Sequence, residues 1–235
     1  MCGRYYRRSD KQRIAEAYRL GEIPFDLVLP DWDFNIAPTT FQPVIRSAKE
    51  TGQRELVLMR WGLVPFFSKH LSDVKGISTI NAKSETIETS PTFRRPFKMR
   101  RCLVPADGFY EWLRVDEKTK QPYAFRMKDD APLAFAGVWD AWKAPDGSWL
   151  QSYSILTTFA NDLTARVHSR MPVILHPKDY DRWLERDSER APVELLRPFE
   201  AEAMAASPFN PKVGNAKNNG PEMLVVAYEQ RSGNK

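Results

Sequence analysis

Short apolar runs separated by proline, glycine and asparagine recur along most of the chain. They predict strands over residues 3–8, 42–47, 55–61, 78–83, 122–127, 133–142, 152–158 and 171–175. The apolar stretch 102–112 contains Pro105 and Gly108, so we expect two strand pieces joined by a bend. Asp146-Gly147 predicts a hairpin turn between two of the longer strands.

Helical patterns are shorter and fewer than the strand patterns. Apolar residues between Ile14 and Leu20 form a helical stripe, with Ser9 as the predicted N-cap and Gly21 as the stop. Further short helices are predicted over 84–90, 161–167, 177–186 and 192–197. Residues 23–33 are predicted as a loop and 35–40 as a turn.

These elements do not alternate as strand, helix, strand, which argues against a doubly wound parallel sheet. We predict an α+β fold that is mainly β. It forms a single domain with a curved or barrel-like mixed sheet flanked by short helices. The domain is expected to span residues 1–229, and the polar tail over 230–235 is expected to be disordered.

Composition narrows the class of protein only a little. The chain has 235 residues, 42% hydrophobic and 28% charged, and a net charge of +5. Basic residues crowd residues 4–13 and 94–101, and 12% of all residues are aromatic. Cations beside aromatic rings suit single-stranded nucleic acid, although a charged surface around an aromatic core gives the same composition. No apolar run reaches the roughly 20 residues of a membrane span, and a cytoplasmic location is expected, nucleoid-associated in a bacterium.

The chain lacks a P-loop, a dinucleotide-binding fingerprint, a metal-ligand motif and a nucleophile elbow. We therefore expect no cofactor and no metal. There are two cysteines; Cys102 lies in an apolar run and is predicted to be buried. A reactive site would have to be assembled from scattered polar residues.

Cys2 has the most distinctive chemistry. If Met1 is removed, as the small second residue favours, Cys2 carries an α-amine and a thiol on adjacent carbons. Their reference pKa values are about 7.7–8.0 and about 8.5. Such an aminothiol captures aldehydes, because the amine forms a Schiff base and the sulfur closes it into a thiazolidine. The alternative is an ordinary small residue in a first strand.

Three further polar residues stand in apolar or special surroundings. Asn81 ends an extended run, where its amide is able to hold a hydroxyl or carbonyl; the alternative is a turn or cap asparagine. Glu111 lies between aromatic residues that would raise its pKa toward that of a general acid or base; the alternative is an exposed strand glutamate. His168 precedes an apolar strand and is suited to proton transfer, or else it has a structural role.

Nine sequence words, read together, resemble the SOS-response-associated peptidase (SRAP) family, also described as abasic-site processing proteins. The words run almost end to end, in the order of the family: MCGR (1–4), NIAP (35–38), WGLVP (61–65), INAKSET (80–86), CLVPADGFYEW (102–112), FAGVW (135–139), SILTT (154–158), VHSRMP (167–172) and VGNAKN (213–218).

The resemblance implies a single, largely β domain with a basic groove that binds single-stranded DNA and attaches covalently to abasic sites. It implies that Cys2 is the crosslinking residue. The other active-site positions it implies are Asn81, Glu111 and His168. It implies DNA contacts at five further positions: Arg4, Pro38, Trp61, Lys83 and Arg170. We also expect a monomer with weak lyase and autopeptidase activity, acting in the DNA damage response.

Two positions depart from many relatives, which have Arg at Lys83 and Asp at Ser169. Two other function classes remain open on the sequence. In the first, Cys2 is an amidase nucleophile, its own amine is the base and Asn81 contributes to an oxyanion hole. In the second, the protein only binds single-stranded DNA, without catalysis.

Overall fold

The computed structural model describes residues 2–21, 23, 27–29, 32–74, 79–186, 190–220 and 223. The strands are β1 Tyr5–Arg7, β2 Asp33–Ile36, β3 Phe41–Ser47, β4 Arg54–Trp61, β5 Asn81–Lys83, β6 Arg101–Ala106, β7 Gly108–Arg114, β8 Lys120–Met127, β9 Leu133–Lys143, β10 Trp149–Phe159, β11 Arg170–Pro172, β12 Ile174–Leu175 and β13 Met204–Pro208. The α-helices are α1 Lys11–Tyr18, α2 Arg94–Met99 and α3 Tyr180–Leu184.

Five of these strands close a mixed barrel. Around the barrel, β4 pairs with β3, β3 with β6, β6 with β9, and β9 with β10, all antiparallel. The ring closes where β10 pairs in parallel with β4. Beyond the barrel, β10 also pairs with β5 and β11, so this one strand pairs with four others among the described residues. The predicted α+β fold with a barrel-like mixed sheet is confirmed.

A second, antiparallel sheet has the order β13-β8-β7-β1-β2. Gly108 is required where three of its strands meet, because a Cβ atom there would lie 2.4 Å from the carbonyl oxygen of Phe125. Apolar side chains of this sheet and of the barrel form one buried cluster. It includes Tyr5 and Phe109 from the sheet and Val104 and Ile155 from the barrel. The N-terminus of the chain therefore leads directly into the core.

The first helix begins one residue later than the sequence predicts. The amide and hydroxyl of Ser9 both donate to the carboxylate of Asp107. Ser9 is thus held by the loop between β6 and β7. Asp10 caps the helix in its place, its carboxylate accepting from the amide of Arg13 at 2.8 Å. Asp107, almost a hundred positions away, thus prevents Ser9 from capping the helix, and a local sequence pattern does not show this contact.

Several other elements differ from the sequence predictions. Part of the predicted loop and turn is β2, which pairs with β1, whereas α2 and β13 were not predicted at all. The strand predicted over 171–175 divides, because β11 pairs with β10 and β12 with β9. The predicted tail over 230–235 lies outside the described residues. No helix in the described part of the chain has the length and apolar character needed to span a membrane.

A buried arginine ties two helices to the barrel. Arg101, 4% exposed, begins β6. Its guanidinium donates to carbonyl oxygens at the C-terminal ends of α2 and α3, those of Phe97, Lys98, Trp183 and Glu185. A cation at these ends also interacts favourably with the helix dipoles. Arg101 thereby joins both helices to the same strand.

Arg101→Met is expected to lower the free energy of unfolding by about 3 kcal/mol, because buried carbonyls lose a charged donor. Arg182→Met is the matched control: its ion pair with Glu194 has side chains 60% and 50% exposed and is worth under about 1 kcal/mol. Urea denaturation of both variants measures the difference. Equal stability of the two variants would contradict the role given to Arg101.

Candidate active site at the N-terminus

Pairing of β1 with β7 positions the start of the chain. Tyr5 lies opposite Phe109, and the carbonyl of Arg4 accepts a hydrogen bond from the amide of Tyr110 at 3.0 Å. Continuing this antiparallel register brings the first residues alongside Glu111. The Cys2 thiol donates to the same Arg4 carbonyl, with 3.7 Å between sulfur and oxygen. Cys2 is fully buried.

Burial gives the Cys2 thiol an unusual protonation equilibrium. It raises the pKa of the thiol well above its ordinary value, and the neighbouring Glu111 carboxylate raises that pKa further. At neutral pH the sulfur is therefore a thiol rather than a thiolate. A reaction at this sulfur needs a base that accepts its proton.

Asn81 holds the backbone of Cys2. It begins β5, which pairs in parallel with β10 so that Asn81 lies opposite Ile155. Its side chain is 5% exposed, and its Nδ2 donates to the Cys2 carbonyl oxygen at 2.9 Å. Its Oδ1 is buried and has no hydrogen-bond partner among the described residues. Asn81 is therefore neither a turn nor a cap residue: it fixes Cys2 and keeps an acceptor for another donor.

Glu111 has the environment that the sequence predicted for a general acid or base. It lies in β7, and only 3% of the residue is exposed, so the alternative of an exposed strand glutamate is wrong. Burial raises the pKa of its carboxyl group to about 7. Both protonation states are thus well populated at neutral pH, next to a thiol that must lose a proton.

His168 lies in the turn between β10 and β11 and is partly buried. Its Nδ1 accepts the backbone amide of Arg170 at 3.1 Å. Burial lowers the pKa of the imidazole, so the ring is neutral at pH 7. With Nδ1 accepting, the proton of the neutral ring is carried on Nε2. His168 is therefore oriented by the backbone as a donor through Nε2.

The residues predicted to contact DNA differ in how exposed they are. Arg4 is partly buried, and its Nη2 donates to the carbonyl of Gly214 at 3.5 Å. Pro38 lies partly buried in the turn between β2 and β3, and Lys83 is exposed at the end of β5. Arg170 forms a bidentate ion pair with Glu85, with N–O distances of 2.8 and 3.0 Å. Lys83 is the most accessible cation of this set.

Trp61 is a core residue. It has no exposed surface, its ring lies edge-on to Tyr5 at 5.1 Å and parallel to Tyr153 at 6.5 Å, and its Nε1 donates to the carbonyl of Ile80 at 3.0 Å. A ring enclosed in this way cannot stack on a base. The Trp61 ring is therefore unavailable for stacking in this structure, and a DNA contact at this position stays a prediction.

Exposed aromatic rings lie a few residues further on. Phe66 and Phe67 are 47% and 54% exposed, and their rings meet edge-on at 5.4 Å. The guanidinium of Arg95, from α2, lies 4.2 Å from the centre of the Phe66 ring. The basic cluster over 94–101 was visible in the sequence, but only the fold shows that Arg95 from this cluster contacts Phe66.

A family model described as SOS response associated peptidase (SRAP) matches residues 1–216 of the chain. The chain belongs to the SRAP family. The family match covers the barrel, the second sheet and every residue of the candidate site.

Similarity to individual SRAP relatives extends over nearly all of this chain. The abasic site processing protein YoqW of Bacillus subtilis (strain 168) is 35% identical, and the match covers 95% of this chain and 99% of YoqW. The abasic site processing protein HMCES of Mus musculus is 31% identical, with 97% and 76% covered. A crystal structure from Bacteroides thetaiotaomicron has a TM-score of 0.83 at 29% identity, covering 96% of this chain and 100% of the other.

Proposed function

We propose that the protein, once Met1 is removed, binds single-stranded DNA and captures the aldehyde of an abasic site as a thiazolidine on Cys2. The observation that carries the proposal is the placement of Cys2: its carbonyl is held by Asn81 and its thiol is close to the buried carboxyl of Glu111. The SRAP relatives named as abasic site processing proteins support the same substrate class.

The reaction has two bond-forming steps. The Cys2 amine attacks C1′ of the ring-opened deoxyribose, and the carbinolamine loses water to give a Schiff base. The Cys2 sulfur then adds to the same carbon and the thiol proton is transferred to the imine nitrogen, which closes a five-membered ring. Overall, one aldehyde and one aminothiol give one thiazolidine and one water, with no oxidant or reductant.

Glu111 is suited to both proton transfers. As an acid it helps the carbinolamine lose water, and as a base it takes the proton of the thiol. A carboxyl with a pKa of about 7 performs both roles near neutral pH. The raised pKa of the thiol makes this base necessary, because little thiolate forms spontaneously.

Asn81 and His168 position the sugar. The buried Oδ1 of Asn81 accepts a hydrogen bond from a sugar hydroxyl, while Nδ2 keeps Cys2 in place. The ring opens when the proton of the C1′ hydroxyl moves to the sugar ring oxygen, and the Nε2–H of neutral His168 donates a hydrogen bond to that oxygen while the imidazole keeps its own proton. Before the sulfur closes, the Schiff base permits β-elimination, so weak lyase activity accompanies the crosslink.

The same contacts weigh against an amidase. An oxyanion hole needs donors aimed at the substrate carbonyl. Here the Asn81 amide donates to the chain's own Cys2 carbonyl at 2.9 Å. Asn81 is therefore engaged in holding the nucleophile, and the crosslinking reaction explains its geometry better than hydrolysis does.

Intact mass of the processed protein, before and after incubation with an abasic oligonucleotide, tests the proposal. The expected product has the summed mass of protein and oligonucleotide less one water, and it survives denaturation without a reducing agent. An oligonucleotide of the same sequence without the lesion is expected to give no adduct.

A protein carrying one added glycine before Cys2 is the control for the free aminothiol. It keeps the thiol but places the amine on another residue, so no five-membered ring can close. Adduct formation by this control at the rate of the processed protein would contradict the proposed function.

A further inference from the structure

One face of the sheet leads from Cys2 to the surface. Paired residues of neighbouring strands, and residues two apart along a strand, share a face. Asn81 pairs with Ile155 and Lys83 with Thr157, and Arg170 pairs with Phe159. These side chains therefore belong to one face, which begins at the Asn81 amide that holds Cys2.

Phe159 is the exposed end of this face. It is the last residue of β10 and is 63% exposed, whereas Ile155 and Thr157 on the same face are fully buried. Ile155 and Phe159 are four positions apart along the strand, roughly 13 Å at the usual rise. A large apolar ring is thus held in solvent, a short distance from the candidate active site.

Arg170 supports the Phe159 ring from one side. Its guanidinium carbon lies 5.5 Å from the ring centre, within the range of a cation–π contact. Thr157 accepts from the guanidinium through its carbonyl oxygen, at 2.7 Å, and through its hydroxyl. The Glu85 carboxylate accepts two further hydrogen bonds from the same guanidinium. With four of its five N–H groups engaged, Arg170 is fixed as a support and retains one Nη1 hydrogen for a phosphate.

We propose that Phe159, backed by Arg170 and flanked by the exposed Lys83, is a stacking platform for an unpaired base near the lesion. The inference rests on the proposed function, since the strand bound at Cys2 supplies the base. The ring offers an open π-face, and Lys83 offers a cation to the adjoining phosphate. The occupant is a base of the same single strand.

Phe159→Ala is expected to weaken binding of an intact single-stranded oligonucleotide about tenfold, measured by fluorescence anisotropy. Phe159→Trp is expected to retain or improve the affinity. The matched control is Trp149→Ala at the opposite end of β10: this ring is 65% exposed and also faces a cation, Lys143. It lies roughly 33 Å away along the strand, and its removal is expected to leave affinity unchanged.

A spectroscopic signature separates stacking from a general loss of structure. A 2-aminopurine moved stepwise away from the abasic site is expected to be quenched at one position by the unaltered protein and not by Phe159→Ala. Unchanged affinity and quenching in Phe159→Ala, or an equal loss in Trp149→Ala, would overturn the platform. Absence of the crosslink in the unaltered protein would instead contradict the proposed function, and the anisotropy comparison on intact strands would still stand.

Discussion

Replacing Cys2 by alanine is expected to reduce the denaturation-stable adduct with abasic DNA by about a hundredfold or more. The variant keeps a small second residue, so Met1 is still removed and the amine is retained. Without sulfur the reaction stops at a Schiff base, which water reverses. Cys102→Ala is the matched control: it removes the other buried cysteine and is expected to leave the adduct in place.

Borohydride distinguishes the two stages of the proposed reaction. Reduction during incubation is expected to trap Cys2→Ala on abasic DNA, because the amine still forms the Schiff base. The unaltered protein is expected to need no reductant. A stable adduct formed by Cys2→Ala at the rate of the unaltered protein, with no borohydride present, would exclude the thiazolidine.

Replacing Glu111 by glutamine is expected to stabilise the protein at alkaline pH while slowing the reaction. Burial raises the folded-state pKa of Glu111 from 4.5 to about 7. Between these pH values the folded state keeps a proton that the unfolded state has lost, so the free energy of unfolding falls as pH rises. The loss amounts to about 3 kcal/mol once the pH exceeds the folded-state pKa.

Glutamine is neutral at every pH, so the variant avoids this loss. In urea denaturation, the free energy of unfolding of Glu111→Gln relative to that of the unaltered protein is expected to rise by about 2–3 kcal/mol between pH 5 and pH 8. Glu88→Gln, at an exposed position of the same chain, is the control and is expected to show no such gain. If the stability of the two glutamine variants depended on pH in the same way, the raised pKa of Glu111 would be contradicted. If Glu111→Gln formed the adduct at the rate of the unaltered protein, Glu111 would have no role in the mechanism.

The sequence predicted the strands well because each is a short apolar run ended by residues that break it. The barrel's longest strands, β9 and β10, follow their patterns closely. β2 was missed because Asn35, which reads as a turn residue, lies within it. In the structure its side-chain amide donates to the carbonyls of Val213, Asn215 and Asn218. That long-range contact replaces the local turn.

The candidate site was predictable in its residue types and not in its geometry. The apolar neighbours of Glu111 indicated a raised pKa, and the structure confirms it. Asn81 was expected to hold a hydroxyl or carbonyl, but nothing in the sequence showed that Cys2 supplies the carbonyl. The DNA contact at Trp61 was expected from the resemblance alone, and the sequence does not show that its ring is fully buried.

The burial of Cys2 fixes an order of events during synthesis. Asn81, Glu111 and His168 are translated long after Cys2, on the order of 10 s later for the last of them at typical ribosome speed. The N-terminus leaves the ribosome before these residues are made, whereas in the folded chain Cys2 is enclosed in the core. Under the proposed function, Met1 is therefore expected to be removed from the nascent chain before the site matures, and reactivity is expected only when translation is nearly finished.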